Sequence, residues 1–175
     1  MVNDQKYLEW QKRLSESKMF RRFWKFWGIY SVLLIFGVGG YLLLLGRWRE
    51  VLAAFVAFVL ARVIVSPLIY VFYKRQRPYQ KLNFTPIHSW LLSEPTTRRS
   101  SFPSDHAISL AAITAILFWF FPILGTALMV IILLNGWARV VLGYHYITDI
   151  LAGWVLGSLG AILVIYWLTP LLFTR

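Results

Sequence analysis

Five apolar stretches, each near the length of a membrane-crossing helix, constrain this 175-residue chain more than any other feature. A helix needs roughly 20 apolar residues to cross a hydrocarbon core about 30 Å thick. The stretches are residues 23–45, 51–73, 104–121, 124–141 and 148–168. With 59% hydrophobic residues and a mean hydropathy of +0.63, the chain is too apolar for an ordinary soluble domain. We predict an all-α integral membrane bundle of about five transmembrane helices.

The N-terminal segment, residues 1–22, interleaves apolar and basic side chains. Tyr7, Trp10 and Leu14 alternate with cations such as Lys12 and Arg13. This pattern favours an amphipathic helix that lies in the membrane interface, and a disordered basic tail is the alternative. We expect residues 23–175 to form one membrane-embedded domain.

The charge balance indicates an anionic partner. Lys and Arg number 18 against seven Asp and Glu, a net charge of +11. In a membrane protein this excess favours anionic headgroups or a phosphorylated lipid over nucleic acid. We therefore expect the lipid bilayer and a membrane lipid as partners, and no nucleic acid. The absence of cysteine excludes disulfides, thiolate metal sites and cysteine nucleophiles.

Three polar clusters stand beside the apolar stretches, at residues 73–78, 101–106 and 139–149. Ionisable side chains in or near membrane spans are costly and mark functional sites. Because short turns make neighbouring spans antiparallel, the second to fifth spans return all three clusters to one side of the bilayer. The proline-rich, cationic loop 74–103 lies on the same side, and we expect it to contribute to an active site.

The residue types in these clusters suit phosphate. Ser104 follows Pro103 where a helix begins, and the free N–H groups of a helix N-terminus bind anions. Arg77 and Arg139 carry planar forks that match phosphate oxygens. Lys74 precedes Arg77 by three residues, so on a helix it would share the same face and add a point charge.

His145 and Asp149 are four residues apart, which places them on one face if the segment is helical. The carboxylate would then accept one ring N–H and leave the other nitrogen as a nucleophile. Gly143 would break the helix between Arg139 and this pair. His106 sits beside the predicted anion site.

Other ionisable residues lack such patterned neighbours. His88 has the simpler interpretation of a structural hydrogen-bonding residue. Arg62 lies mid-span, about four helical turns from Arg77 and too far to share its phosphate, so a structural or lipid-contact role is expected. Headgroup contact is expected for a further set of cations, Arg75, Lys81, Arg98 and Arg99.

Metal catalysis is the rival chemistry for phosphate, and it needs clustered oxygen ligands. After Glu50 the only acidic residues are Glu94, Asp105 and Asp149, which are too few and too scattered for a two-metal site. We therefore predict no metal and no other cofactor, with arginines stabilising the phosphoryl charge.

Together the clusters resemble the three-part signature of the type 2 phosphatidic acid phosphatase superfamily. The matching motifs are Arg77-Pro78, Pro103-Ser104-Asp105-His106, and Arg139 followed by His145 and Asp149. The resemblance covers about residues 51–168. It implies an integral membrane lipid phosphatase that needs no metal.

The resemblance also implies a role for each motif residue. His145 would attack phosphorus and form a phosphohistidine, with Asp149 orienting the ring. His106 would protonate the leaving oxygen. The phosphoryl oxygens would be held by Arg77, Arg139 and Ser104.

Three positions depart from the family pattern. Tyr70 stands where the family has a lysine, so that phosphate contact is missing unless Lys74 or Arg75 substitutes for it. Asp105 replaces the usual glycine, and Ala138 replaces the usual serine. The Pro-Ser-Asp-His variant, the missing lysine and the small size most resemble bacterial undecaprenyl diphosphate phosphatases, which return undecaprenyl phosphate to the cell-wall carrier cycle. Phosphatidylglycerophosphate and phosphatidic acid are alternative substrates. A non-catalytic phospholipid-binding or flippase-like protein is the alternative from another class, supported by Tyr70 and Ala138.

Two arguments disagree on the membrane face. The N-terminal stretch through Lys25 carries seven Lys and Arg residues on the side of the predicted site, against Arg47, Arg49 and Arg175 opposite. The positive-inside rule then places the site in the cytoplasm. The resemblance implies the outer face, and we expect a multi-pass cell-membrane protein with an extracytoplasmic site. The sequence selects no oligomeric state.

Overall fold

The computed structural model describes residues 3–87 and 100–173, and within these residues the chain is helical without strands. The helices are α1 Asp4–Glu16, α2 Lys18–Leu44, α3 Trp48–Phe72, α4 Pro78–Lys81, α5 Asp105–Phe120, α6 Pro122–Val141, α7 Ile147–Trp167 and α8 Thr169–Phe173. The predictions made for His88, Glu94, Arg98, Arg99 and Arg175 lie outside the described residues.

The predicted membrane bundle is confirmed. Helices α2, α3, α6 and α7 are long and apolar enough to cross a membrane, whereas α5 has 16 residues and is shorter. Helix α5 is buried around most of its surface and contacts α3, α6 and α7, so it is the central helix. The outer helices keep large apolar side chains exposed, among them Phe55 and Leu163, which is the surface that a bilayer covers.

Small residues bring α7 close to α5. A Cβ atom at Gly157 would collide with the Ile108 carbonyl oxygen, and one at Gly153 would meet the Ala107 side chain. Small residues permit this close approach of membrane helices. At the ends of the same two helices, the Ser104 N–H donates to the Asp149 carbonyl oxygen at 3.0 Å. The helix contact therefore aligns two of the predicted polar clusters.

The predicted N-terminal helix is present as α1, which begins after Asn3, whose side chain accepts from the Lys6 N–H. Its apolar face, with Tyr7, Trp10 and Leu14, is buried against the rest of the protein. Helix α1 therefore lies on the end of the bundle.

The first span begins at Lys18, earlier than predicted, because the Ser17 hydroxyl caps it by accepting from the Phe20 N–H. Sequence periodicity also gave no sign of two π-helical turns, Phe26–Tyr30 in α2 and Leu60–Val65 in α3. Such turns shift the register of a helix and occur often at functional sites.

Candidate active site

His145 lies in the short connection between α6 and α7, where Gly143 ends the first helix. Gly143 has a φ of +77°, a left-handed conformation that favours glycine, and the following Tyr144 N–H donates to the Arg139 carbonyl oxygen. The helix break predicted at this glycine is confirmed. It turns the chain so that the His145 side chain is buried, with 2% of its surface exposed.

The two nitrogens of the His145 ring have different partners. Nδ1 lies 2.9 Å from the carbonyl oxygen of Ser101, and Nε2 lies 3.3 Å from Nη1 of Arg77. A carbonyl oxygen only accepts and a guanidinium only donates, so the neutral ring carries its proton on Nδ1. Burial lowers the pKa of His145 to about 4, with Arg77 and Arg139 acting in the same direction and Asp149 opposing them. Nε2 therefore presents a lone pair at neutral pH.

Asp149 reaches this ring through Ser101. Its Oδ2 atom is 3.7 Å from Nδ1 of His145, which is too long for a hydrogen bond. The Ser101 hydroxyl donates to the same Oδ2 at 2.6 Å, and the Tyr146 N–H donates to it at 2.8 Å. The spacing of His145 and Asp149 predicted a direct hydrogen bond from ring to carboxylate, which is wrong. Ser101 takes that position because its carbonyl faces the ring while its hydroxyl faces the acid.

Arg75 completes the surroundings of Asp149. One Nη1 atom donates to Asp149 Oδ1 and to Thr148 Oγ1, both at 2.7 Å, and the guanidinium lies 3.9 Å from the centre of the Tyr146 ring. Headgroup contact was expected for Arg75, and this internal role was missed. The available signal was its spacing of two residues from Arg77, which places both side chains on one side of an extended segment.

The helical relation predicted between Lys74 and Arg77 is wrong. Helix α3 ends at Phe72 and Tyr73 is extended, so the spacing of three residues no longer places two side chains on one face. Lys74 is exposed, whereas Arg77 is buried.

Arg77 and Arg139 are both buried, with 3% and 4% of their surfaces exposed. Arg77 is anchored through its own N–H, which donates to Gln80, while its Nε has no hydrogen-bond partner among residues 3–87 and 100–173. The Arg139 guanidinium lies 5.3 Å from the centre of the Tyr144 ring. Guanidiniums held in a low-dielectric site are strong binders of phosphate oxygens.

Ser104 and His106 begin α5. Ser104 is fully buried and caps the helix, because its hydroxyl accepts from the Ala107 N–H at 3.4 Å. Its own N–H donates to the Asp149 carbonyl oxygen. The predicted contact of Ser104 with phosphate therefore depends on the hydroxyl, which is also the helix cap. His106 lies within electrostatic range of His145, Arg77 and Arg139. It also lines a cavity of about 200 Å³ on the bundle side of the site.

Arg62 and Asp105 form an ion pair inside the bundle, with Nη2 3.0 Å from Oδ2. The Ser66 hydroxyl donates to the other carboxylate oxygen of Asp105 at 2.7 Å. Tyr70, on the same helix, donates to the Pro103 carbonyl oxygen at 3.0 Å. These contacts fasten the middle of α3 to the start of α5.

Helix α1 supports the site from outside. The fully buried Tyr7 donates its hydroxyl to the His145 carbonyl oxygen at 3.3 Å, and burial raises the pKa of this phenol. Gln11 donates to the Val141 carbonyl oxygen. On the surface, Lys81 pairs with Asp4 at 2.8 Å and not with a group of the site.

Within the part of the chain that the structure describes, no group of three or more His, Cys, Asp or Glu side chains is arranged to bind a metal ion. The groups that converge are His145, Ser101, Asp149 and the guanidiniums of Arg75 and Arg77. They combine a neutral imidazole with buried positive charge, which is suited to attack on an anionic phosphate.

The comparisons with known proteins agree on one family. The sequence model of the PAP2 superfamily matches residues 50–172. The chain is 34% identical over 134 residues to the lipid A 1-diphosphate synthase of Escherichia coli (strain K12), which is 72% of this chain and 54% of that protein. It is 34% identical over 125 residues to the undecaprenyl-diphosphatase of Sulfolobus acidocaldarius, covering 67% and 55%. The chain thus spans about half the length of these curated relatives.

The fold has a solved counterpart. A transmembrane PAP2-type phosphatidylglycerolphosphate phosphatase from Bacillus subtilis has a similar crystal structure, with a TM-score of 0.52 and 22% sequence identity. The match covers 93% of this chain and 94% of the other. At this identity the likeness concerns the fold.

Proposed function

Because the chain belongs to the PAP2 superfamily of membrane phosphatases, we propose that it hydrolyses the terminal phosphate of a polyprenyl diphosphate, with undecaprenyl diphosphate as the substrate. The products are undecaprenyl phosphate and inorganic phosphate. The observation that carries the proposal is the buried, neutral His145, whose Nε2 faces the guanidinium of Arg77.

In the first step, Nε2 of His145 attacks the terminal phosphorus. An N–P bond forms, and the bond between that phosphorus and the bridging oxygen breaks. His106 gives a proton to the bridging oxygen, which leaves with the lipid phosphate. The Nδ1 proton stays on the bond to the Ser101 carbonyl oxygen. The Asp149 carboxylate, 3.7 Å from Nδ1 and held by the Ser101 hydroxyl, stabilises the positive ring by its charge.

In the second step, water attacks the phosphohistidine and gives its proton to His106. The N–P bond breaks, inorganic phosphate leaves and His145 returns to its neutral form. Two displacements replace one difficult step, and the protein contributes positioning and charge stabilisation to each.

The buried cations hold the transferring phosphoryl group. Arg77 and Arg139 bind its equatorial oxygens, and the Ser104 hydroxyl adds a hydrogen bond there. Arg75 stays on Asp149 and keeps that carboxylate from repelling the substrate. Lys74 is exposed, so its contribution is restricted to attracting the approaching headgroup.

Two considerations support a diphosphate lipid. One relative is named an undecaprenyl-diphosphatase and another a lipid A 1-diphosphate synthase, so both names refer to diphosphate lipids. The Pro-Ser-Asp-His motif at residues 103–106 resembles the undecaprenyl branch. Such a substrate implies a cell-membrane enzyme with its site on the extracytoplasmic face, which a reporter fused after Arg175 tests.

A substrate panel in chelator-treated detergent tests the proposal. We expect phosphate release from undecaprenyl diphosphate to exceed release from phosphatidylglycerophosphate and phosphatidic acid. His145→Asn should abolish release from all three, and Lys12→Gln, an exposed change in α1, is the matched control that should retain it. Turnover by His145→Asn at the wild-type rate would contradict the mechanism. A preference for phosphatidylglycerophosphate would identify that lipid, and not undecaprenyl diphosphate, as the substrate.

A further inference from the structure

The cavity beside His106 is polar at one end, although it lies between membrane helices. It is bounded by α2, α3 and α5, and its volume is about 200 Å³. Its polar lining residues are Arg62, Asp105, His106 and Ser109. Polar side chains at this depth are costly and mark substrate or ion sites.

Arg62 is the cation of this cavity. It lies in the π-helical turn of α3, and its ion pair with Asp105 engages Nη2. A guanidinium carries five N–H donors in a planar fork, so one such bond leaves donors for a second anion. The side chain keeps 20% of its surface exposed. Arg62 also lines a separate groove on the outside of α3, together with Phe58, Val63, Pro67 and Tyr70.

An apolar cavity adjoins the polar one. A second cavity of about 140 Å³ shares Phe36, Phe58 and Ile113 with the first and is otherwise lined by apolar side chains and Gly39. The two adjoining cavities lie between α2, α3 and α5, one with polar groups beside His106 and the other apolar. This is the polarity of a lipid with a phosphorylated head and a hydrocarbon tail.

We propose that Arg62 binds the phosphate that stays on the lipid, and that the prenyl chain lies in the apolar cavity between α2 and α3. The inference rests on the proposed function. His106 protonates the bridging oxygen, so the leaving group lies on the His106 side of the reacting phosphorus. Arg62 is the cation that lines the cavity on that side.

This position gives selectivity for diphosphates. When a prenyl diphosphate reacts, the leaving group is a phosphate monoester, and Arg62 stabilises the negative charge that develops on it. When a prenyl monophosphate reacts, the leaving group is an alcohol, and no second phosphate is present to bind Arg62. Asp105 holds the guanidinium in place and lowers the cost of the buried charge when no lipid is bound.

The test compares two substrates with the same tail, farnesyl diphosphate and farnesyl monophosphate, using purified full-length protein in detergent. The measured quantity is the ratio of kcat/KM for the diphosphate to that for the monophosphate. Arg62→Gln combined with Asp105→Asn removes both charges, so no unpaired ion stays buried. We expect this double variant to lower the ratio at least about tenfold, the size of one charge-assisted hydrogen bond.

Two further variants keep the result interpretable. Asp105→Asn alone keeps Arg62 and an amide oxygen that accepts from its guanidinium, so it should lower the ratio less than the double variant does. Arg62→Lys keeps the charge without the planar fork, so it should lower the ratio by a smaller factor, and it serves as the readout if the double variant does not fold. An equal loss with both substrates, or the same loss of ratio in Asp105→Asn, would overturn the role of Arg62.

Failure of the function differs from failure of the inference. If the wild-type protein hydrolyses both substrates and substitution of Arg62 does not change the ratio, the lipid phosphatase function is supported and the diphosphate subsite at Arg62 is refuted. If the wild-type protein hydrolyses neither farnesyl substrate nor undecaprenyl diphosphate, both proposals fall.

Discussion

Ser101 stands between His145 and Asp149 and bonds to both. Its carbonyl oxygen accepts from the histidine ring at 2.9 Å, and its hydroxyl donates to the carboxylate at 2.6 Å. One residue therefore fixes the tautomer of the imidazole and the orientation of the acid. The arrangement couples the three residues without a direct hydrogen bond between ring and carboxylate, which lie 3.7 Å apart.

Replacing the Ser101 hydroxyl should slow the reaction without removing the nucleophile. Ser101→Ala keeps the carbonyl that holds Nδ1 but deletes one donor to Asp149. Hydrogen bonds to charged groups contribute about 1.5–3 kcal/mol, and Asp149 keeps two other donors, so we expect kcat to fall about tenfold. Steady-state kinetics in detergent measure this, with the exposed Ser15→Ala as control. An unchanged kcat would contradict the bridging role.

Arg75 should act through Asp149. Arg75→Gln leaves a buried carboxylate without its ion-pair partner, and we expect kcat to fall by about tenfold or more. If Arg75 affects the reaction only through Asp149, Arg75→Gln should lower kcat much less in an Asp149→Asn background. A double-mutant cycle on kcat tests this, and a coupling energy above about 1 kcal/mol is expected. Additive effects would place Arg75 on the substrate instead.

The buried His145 should make the protein less stable in mild acid. Its pKa is about 4 in the folded protein and near 6.5 when unfolded, so between these values the unfolded chain binds more protons. Stability therefore falls as the pH decreases from 6.5 towards 4. Melting temperatures across this range should decline more steeply for the wild type than for His145→Asn. Parallel slopes would show that the pKa of His145 is the same in the folded and unfolded states.

Helix α1 should matter for activity because it buttresses the His145 backbone. Tyr7→Ala removes a fully buried ring and its bond to the His145 carbonyl oxygen, so we expect a lower melting temperature and a lower kcat. Lys81→Ala removes only an exposed ion pair to the same helix and should change either quantity little. Loss of stability in Tyr7→Ala with full kcat would show that α1 only stabilises the fold.

The convergence of the polar clusters could be predicted from the sequence because counting spans fixes which ends share a side of the membrane. The break at Gly143 was predictable because glycine favours the left-handed conformation that ends a helix. The role of Ser101 was not, since a backbone carbonyl carries no signature in the side-chain sequence. Arg75 was missed because helical spacing was applied to Lys74 and Arg77, whereas the extended backbone after Phe72 places Arg75 on the same side as Arg77.

Two features depend on tertiary packing. The sequence predicted α1 as an interfacial helix, but its contact with His145 arises from the register between Tyr7 and the turn after α6. Arg62 was predicted to have a structural or lipid-contact role from its distance along the chain to Arg77. Its pairing with Asp105 places it beside His106, because α5 begins at the level of the middle of α3.

Rapid quench of the enzyme with undecaprenyl diphosphate, radiolabelled on its terminal phosphate, shows whether His145 becomes phosphorylated during turnover. We expect an acid-labile, base-stable label on the wild-type protein that maps to His145 and is absent from His145→Asn. Turnover without such a label, or a label on another residue, would contradict the assignment of His145 as the nucleophile.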